Sequence, residues 1–123
     1  MTQTGTTSRL VELCIDANDP HRLASFWAEA LRWETDDETD GEIGLVPTDG
    51  TGFPILFEPI PEQKAGANRL HLDIAPPSHI DQRAEVDRLL ARGATRIDIG
   101  QGDVSWVVMA DLDDNEFCVL TPR

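Results

Sequence analysis

The chain has 123 residues, of which 40% are apolar, and 10 basic against 23 acidic side chains give a formal net charge of −13. That length fits one domain burying roughly two thirds of its unfolded surface. The charge argues against nucleic acid and anionic membranes as partners, because both need a cationic footprint. It suits solubility first, and a cationic small ligand second.

No apolar run approaches the ~20 residues of a membrane span. Residues 1–8 are polar and threonine-rich, with neither the basic nor the apolar part of a leader, and read as a disordered tail. Cys14 and Cys118 are the only two cysteines and make no disulfide framework. Reduced thiols and a cytoplasmic location are the expectation.

Residues 10–17 alternate as a strand, with Val11, Leu13 and Ile15 on one face and Glu12, Cys14 and Asp16 on the other. Asn18-Asp19-Pro20 starts a helix, with Asn or Asp as cap and proline in the first turn. It runs to about Arg32, and Leu23, Phe26, Trp27, Ala30 and Leu31 form its apolar stripe. Three short strands follow, near 33–35, 42–47 and 53–58, separated by an acidic turn at 36–41 and a second turn at 48–52. Residues 59–67 carry proline and glycine and read as a linker.

The plan then repeats. Residues 70–75 form a strand with Leu70, Leu72 and Ile74 on one face and His71 and Asp73 on the other. Ser78 is expected to cap a helix through Arg92, with Ile80, Val86, Leu89 and Leu90 inward, and Gly93 ends it. Strands at 94–99, 104–110 and 116–120 complete the half, with tight turns at 100–103 and 111–115. A shift of 59 positions lays Glu12 on His71 and Cys14 on Asp73, so the chain is an internal repeat of two βαβββ modules, about 9–60 and 69–122.

The apolar faces of both opening strands should pack under the helices. The opposite faces then line a cavity that gathers Glu12, Cys14, His71, Asp73, Trp106, Glu116 and Cys118. The bland alternatives stand beside this. His71 pairs with Glu12 across the opening strands, or Asp73 pairs with Arg69, as satisfied polar contacts. Cys14 and Cys118 serve as small apolar residues. Trp27 is core. The 111–115 stretch lacks the spacing of an EF-hand and reads as a hairpin turn.

The duplicated plan, the stretches 68–73 and 110–118, and the opening strand followed by Asp19-Pro20 and Phe26-Trp27 resemble the vicinal oxygen chelate superfamily. The likeness is to its glyoxalase-like branch and spans about residues 9–122. It implies an α+β fold in which the two modules form a cupped eight-stranded mixed sheet with helices outside, and a homodimer. Metal-dependent members take four ligands from the first and last strands of each half. Those places fall here on Glu12, Ile55, His71 and Cys118. Ile55 cannot bind a metal, and Glu58 would lie on the face opposite Ile55.

The resemblance therefore implies a small organic ligand held in the cup, without a complete metal site. The alternative is a lyase, isomerase or dioxygenase with zinc or iron held by Glu12, His71 and Cys118, and with His71 or Glu116 moving a proton.

Overall fold

A computed structural model of the chain describes residues 7–36 and 39–123. The tail expected at 1–8 therefore lies mostly outside the described residues, as do two positions of the acidic turn at 36–41. The chain divides into two compact units, Met1–Ile60 and Pro61–Arg123. The first holds β1 (Leu13–Ala17), α1 (Pro20–Leu31), β2 (Glu34–Thr35), β3 (Ile43–Val46) and β4 (Ile55–Pro59). The second holds β5 (Leu72–Ile74), α2 (Gln82–Ala91), β6 (Thr95–Arg96), β7 (Val107–Ala110) and β8 (Glu116–Val119).

Each unit is a βαβββ module around a four-stranded mixed sheet, in the orders β1-β4-β3-β2 and β5-β8-β7-β6. In both, the opening strand runs parallel to the closing one and the other pairs are antiparallel. The α+β duplication read from the sequence is present, with its eight strands divided between two sheets.

The opening strands are shorter than the alternation suggests. β1 starts at Leu13, whose N–H donates to Pro54 O at 3.1 Å, and β5 starts at Leu72, opposite Phe117. Val11 and Leu70 precede the first rung of each ladder, so neither packs under a helix, and they are 59% and 82% exposed. An alternating pattern marks a possible strand, but pairing ends where the partner strand ends.

In α1, the Asp19 side chain accepts the Arg22 N–H at 3.3 Å and Pro20 occupies the first turn. Leu23, Ala24, Phe26, Trp27 and Ala30 are buried, and α1 packs on β3 and β4. The Phe26 and Trp27 rings meet edge to face, with centroids 5.2 Å apart. The next residue but one after the helix, Trp33, is also buried, and its indole N–H donates to Asp49 Oδ2 at 2.9 Å. That bond ties the turn at 48–52 to the helix end. Hydrogen bonds from the Thr51 side chain, then the Trp33 indole, then the Thr51 backbone N–H hold the Asp49 carboxyl below its ordinary range.

The second helix differs from its sequence reading at both ends of its apolar stripe. Asp81, not Ser78, is the cap, accepting the Ala84 N–H at 2.7 Å. Ser78 lies inside a turn closed by the Ile80 N–H on Pro77 O, which leaves Ile80 outside the helix. Val86 and Leu89 are buried, while Leu90 is exposed. With only 10 residues, α2 turns a narrow face to β8.

Gly93 follows the helix at φ +109°, where its N–H donates to Leu90 O and the Ala94 N–H to Leu89 O. A Cβ there would lie 2.6 Å from Leu112 Cδ2. The 111–115 turn behaves as expected. Asp111 accepts from the Asp113 and Asn115 N–H groups, each at 2.9 Å.

Two stability predictions follow from these contacts. Gly93→Ala should lower the unfolding free energy by about 1–2 kcal/mol in urea melts, mainly through its positive φ, because the Leu112 tip can shift. Asp49→Ala should cost about 1 kcal/mol at pH 7 through the loss of the Trp33 bond. A depressed carboxyl stabilises above its unfolded pKa, and that contribution fades as pH falls through the lower folded value. The gap between wild type and Asp49→Ala should therefore narrow in melts below about pH 4, near the unfolded aspartate pKa.

Candidate functional site

The parallel register of β5 on β8 builds the site. Asp73 lies opposite Cys118, and Val108 of β7 lies on the other side of Cys118. Because side chains alternate, Asp73, Cys118 and Val108 form one row on one sheet face, and Phe117 and Val119 turn to the other face, where they are buried. A half-open cavity of about 520 Å³ stands over that row. It is lined by His71 and Asp73, by Trp106 and Ile99 as apolar walls, by Glu116 and Cys118, and at the rim by Asn68. All of these residues belong to the second module.

Within the cavity wall His71 Nε2 lies 3.1 Å from Asp73 Oδ1. Asp73 also accepts a hydrogen bond from the Cys118 thiol. Burial, the Asp73 charge and that bond push the Cys118 thiol up from its ordinary value. His71 therefore takes its carboxylate from Asp73, two residues along its own chain segment. Asp73 turns to His71 and Cys118 on the cavity wall, and of its two alternatives the Arg69 pairing is not the one formed.

Glu116 is held by the segment before β5. Its Oε1 is 3.1 Å from Lys64 Nζ, its Oε2 accepts the Asn68 N–H at 3.1 Å, and its carbonyl accepts from Asn68 Nδ2 at 3.3 Å. Burial opposes the charge of Glu116. Its backbone bond, Lys64 and the Asn68 N–H outweigh burial and keep the carboxyl below its ordinary range. As a carboxylate already holding two donors, Glu116 is a poor general base.

Glu12 and Cys14 lie in the first module. The Cys14 thiol donates to Glu12 Oε2 at 3.4 Å. Desolvation, that bond, and the Glu58, Glu12 and Glu42 charges push the thiol up to about 11.

The β1–β4 register corrects two assignments. Ile55 pairs with Leu13 and is buried in the core, whereas Leu56 pairs with Cys14 as Cys118 pairs with Asp73. The first-module counterpart of Cys118 is therefore Leu56, an apolar residue like Ile55. Glu58, opposite Asp16, shares the face of Cys14. The closing strands are out of step with the opening ones. Leu13 meets Ile55, but Leu72 meets Phe117, three residues further along the chain than a uniform shift allows.

Among the described residues, His71, Asp73 and Cys118 offer one donor atom each, all within 4.8 Å of one another. By spacing and softness the set suits zinc or iron, with a coordination position left open. An ion bound there would displace the Cys118 proton, because a thiol must lose its proton to become a ligand. Glu12, expected as a metal ligand, is not in this group. Lys64, Asn68, Ile99 and Gln101 were not singled out from the sequence. The lone lysine inside the linker was the available signal for the first.

The thiol environment is testable. Asp73→Asn removes the charge that holds the proton on Cys118, so its thiol pKa should fall. The pH at which iodoacetamide alkylates Cys118 at half its maximal rate, read by peptide mass spectrometry, should fall with it.

Comparison with known proteins places the fold. The sequence profile described as Glyoxalase-like domain matches residues 12–120. No curated protein matches the chain significantly. Among solved structures, the fosfomycin resistance protein FosX from Listeria monocytogenes, complexed with Mn(II) and sulfate, aligns at TM-score 0.69 and 15% identity over 96% of this chain and 93% of that one. TnmS3, an antibiotic binding protein from Streptomyces sp. CB03234, aligns at TM-score 0.61 and 15% identity over 96% and 98%. The hypothetical protein SA1046 from S. aureus aligns at TM-score 0.64 and 16% identity over 95% and 99%. At such identities the likeness is one of fold. With the profile spanning nearly all of both βαβββ modules, the chain belongs to the glyoxalase-like domain family of the vicinal oxygen chelate superfamily.

Proposed function

We propose that the protein binds a small organic molecule in the second-module cavity, with an apolar part of the ligand against Trp106 and its polar part toward the carboxylate side. The cavity itself carries this reading. At about 520 Å³ it has the size of a small-molecule site, and it combines an aromatic wall with a few convergent polar groups. The residues assigned to the ligand are His71, Asp73, Trp106, Glu116 and Cys118. The antibiotic-binding role named for TnmS3 gives a precedent on the same fold.

The reading is tested by calorimetry with a panel of small aromatic amines, alcohols and acids. At least one should bind the wild type, and Trp106→Ala should weaken that binding by about tenfold, or 1.4 kcal/mol. A silent panel, or binding untouched by Trp106→Ala, overturns it.

One observation favours a second reading. The three-donor cluster of His71, Asp73 and Cys118 would hold a divalent ion, and with it the lyase, isomerase or dioxygenase chemistry of metal-dependent relatives. In that case the ion supplies Lewis acidity, and the three side chains fix its position. Elemental analysis of protein purified without chelator separates the two readings. Stoichiometric zinc or iron, lost in His71→Ala, would establish the second. Its absence, with no rise in melting temperature on adding either ion, removes it.

A further inference from the structure

The segment 61–70, ahead of β5, has no helix or strand, and every residue in it except Asn68 is exposed. It is nevertheless fixed at the cavity rim, where Ala67 and Asn68 line the hollow. Three of its hydrogen bonds run to Glu116. Lys64 Nζ sits on Glu116 Oε1 and the Asn68 N–H on Oε2, one donor for each carboxylate oxygen. Lys64 Nζ also donates to Gly66 O, so the ammonium bridges the segment to the cavity wall.

Lys64 is the only lysine in the chain, and the other nine basic residues are arginines. An ammonium is a compact charge with rotating donors, so it can leave one acceptor and return more readily than a planar two-point guanidinium. The other cavity carboxylate, Asp73, is already engaged by His71 and Cys118.

We infer that Glu116 is a cation subsite of this cavity, that Lys64 is its resident and displaceable occupant, and that the ligand is a primary ammonium on an aromatic or apolar body. This rests on the cavity being the binding site. The Lys64 and Glu116 side chains are 23% and 15% exposed, so the pair is partly buried and the desolvation of both charges offsets much of its attraction. A ligand that places an ammonium on Glu116 gains contact with Trp106, Ile99 and Leu120, which Lys64 reaching in from the rim does not provide. Its arrival releases one of the three hydrogen bonds that the 61–70 strap makes to Glu116. Asn68 stays bonded through Oε2, so the strap swings and does not unfold.

The test compares phenethylammonium with its neutral counterpart 2-phenylethanol. Binding is measured by calorimetry on wild type, Lys64→Met, Glu116→Gln and Trp106→Ala. Phenethylammonium should bind the wild type more tightly than the alcohol, and Lys64→Met should tighten it about two- to fivefold, the small net worth of the displaced pair. The alcohol should be indifferent to Lys64→Met, and Glu116→Gln should remove the preference for the ammonium.

A second readout uses the single lysine. Protein grown on 13C-lysine carries one labelled side chain. Its ε-CH2 signal should move toward its position in Glu116→Gln as phenethylammonium is added, and stay in place with the alcohol. Equal binding of the two probes, both weakened by Trp106→Ala, leaves the cavity reading standing and overturns the subsite. An unchanged or weaker ammonium affinity in Lys64→Met also overturns it. No binding of either probe to wild type or Lys64→Met overturns both.

Discussion

Parallel pairing between the first and last strand of a module governs everything this chain presents on its second half. A parallel pair cannot be closed by a hairpin, so a crossover must intervene, and α2 supplies its helix. Pairing also fixes register. Once Asp73 stands opposite Cys118 and Cys118 opposite Val108, the alternation of side chains sends Phe117 and Val119 into the core. A slip of one residue would exchange the two faces, burying the polar row and exposing the two largest core side chains of β8. The core and the site are thus specified by the same ladder.

The polar groups on that face are arranged so that each carboxylate is already answered from within its own module. Asp73 accepts from a thiol and stands beside an imidazole. Glu116 accepts from a backbone amide and an ammonium. No buried side-chain nitrogen or oxygen among the described residues lacks a partner. A hollow finished in this way is stable without a ligand, and whatever binds there must replace bonds that exist. The first module offers a different surface. On its corresponding face the Glu12, Glu42 and Glu58 carboxylates raise the proton affinity of the exposed Cys14 thiol.

Much of this was legible in the chain. The alternation in the opening strands, the Asp19-Pro20 start, the stripe through Leu23 and Trp27 and the turn at 111–115 all rest on local rules, and local rules identified both modules. Five of the seven residues expected in the cavity line one hollow. What the sequence concealed was non-local. Three additional residues between the opening and closing strands of the second module put a uniform shift out of phase by an odd number. An odd shift reverses faces, so the shift that aligns the opening strands misaligns the closing ones, and only the pairing itself shows that Glu58 shares the face of Cys14 while Ile55 is core. The cap of α2 was misplaced because Ser78 and Asp81 are both good cap residues, and only the turn after Pro77 decides between them. The strap is invisible to pattern reading, because an unstructured segment gains its position from a distant side chain.

The solitary lysine also has a practical side. Among the side chains of this sequence, Lys64 alone carries a primary amine for coupling reagents. Attachment to a sensor surface through amines, or acylation by an activated ester, would land partly at the mouth of the hollow and neutralise the group that answers Glu116. A preparation immobilised in that way would present an altered site while retaining its fold. Capture through an appended tag would leave the site intact.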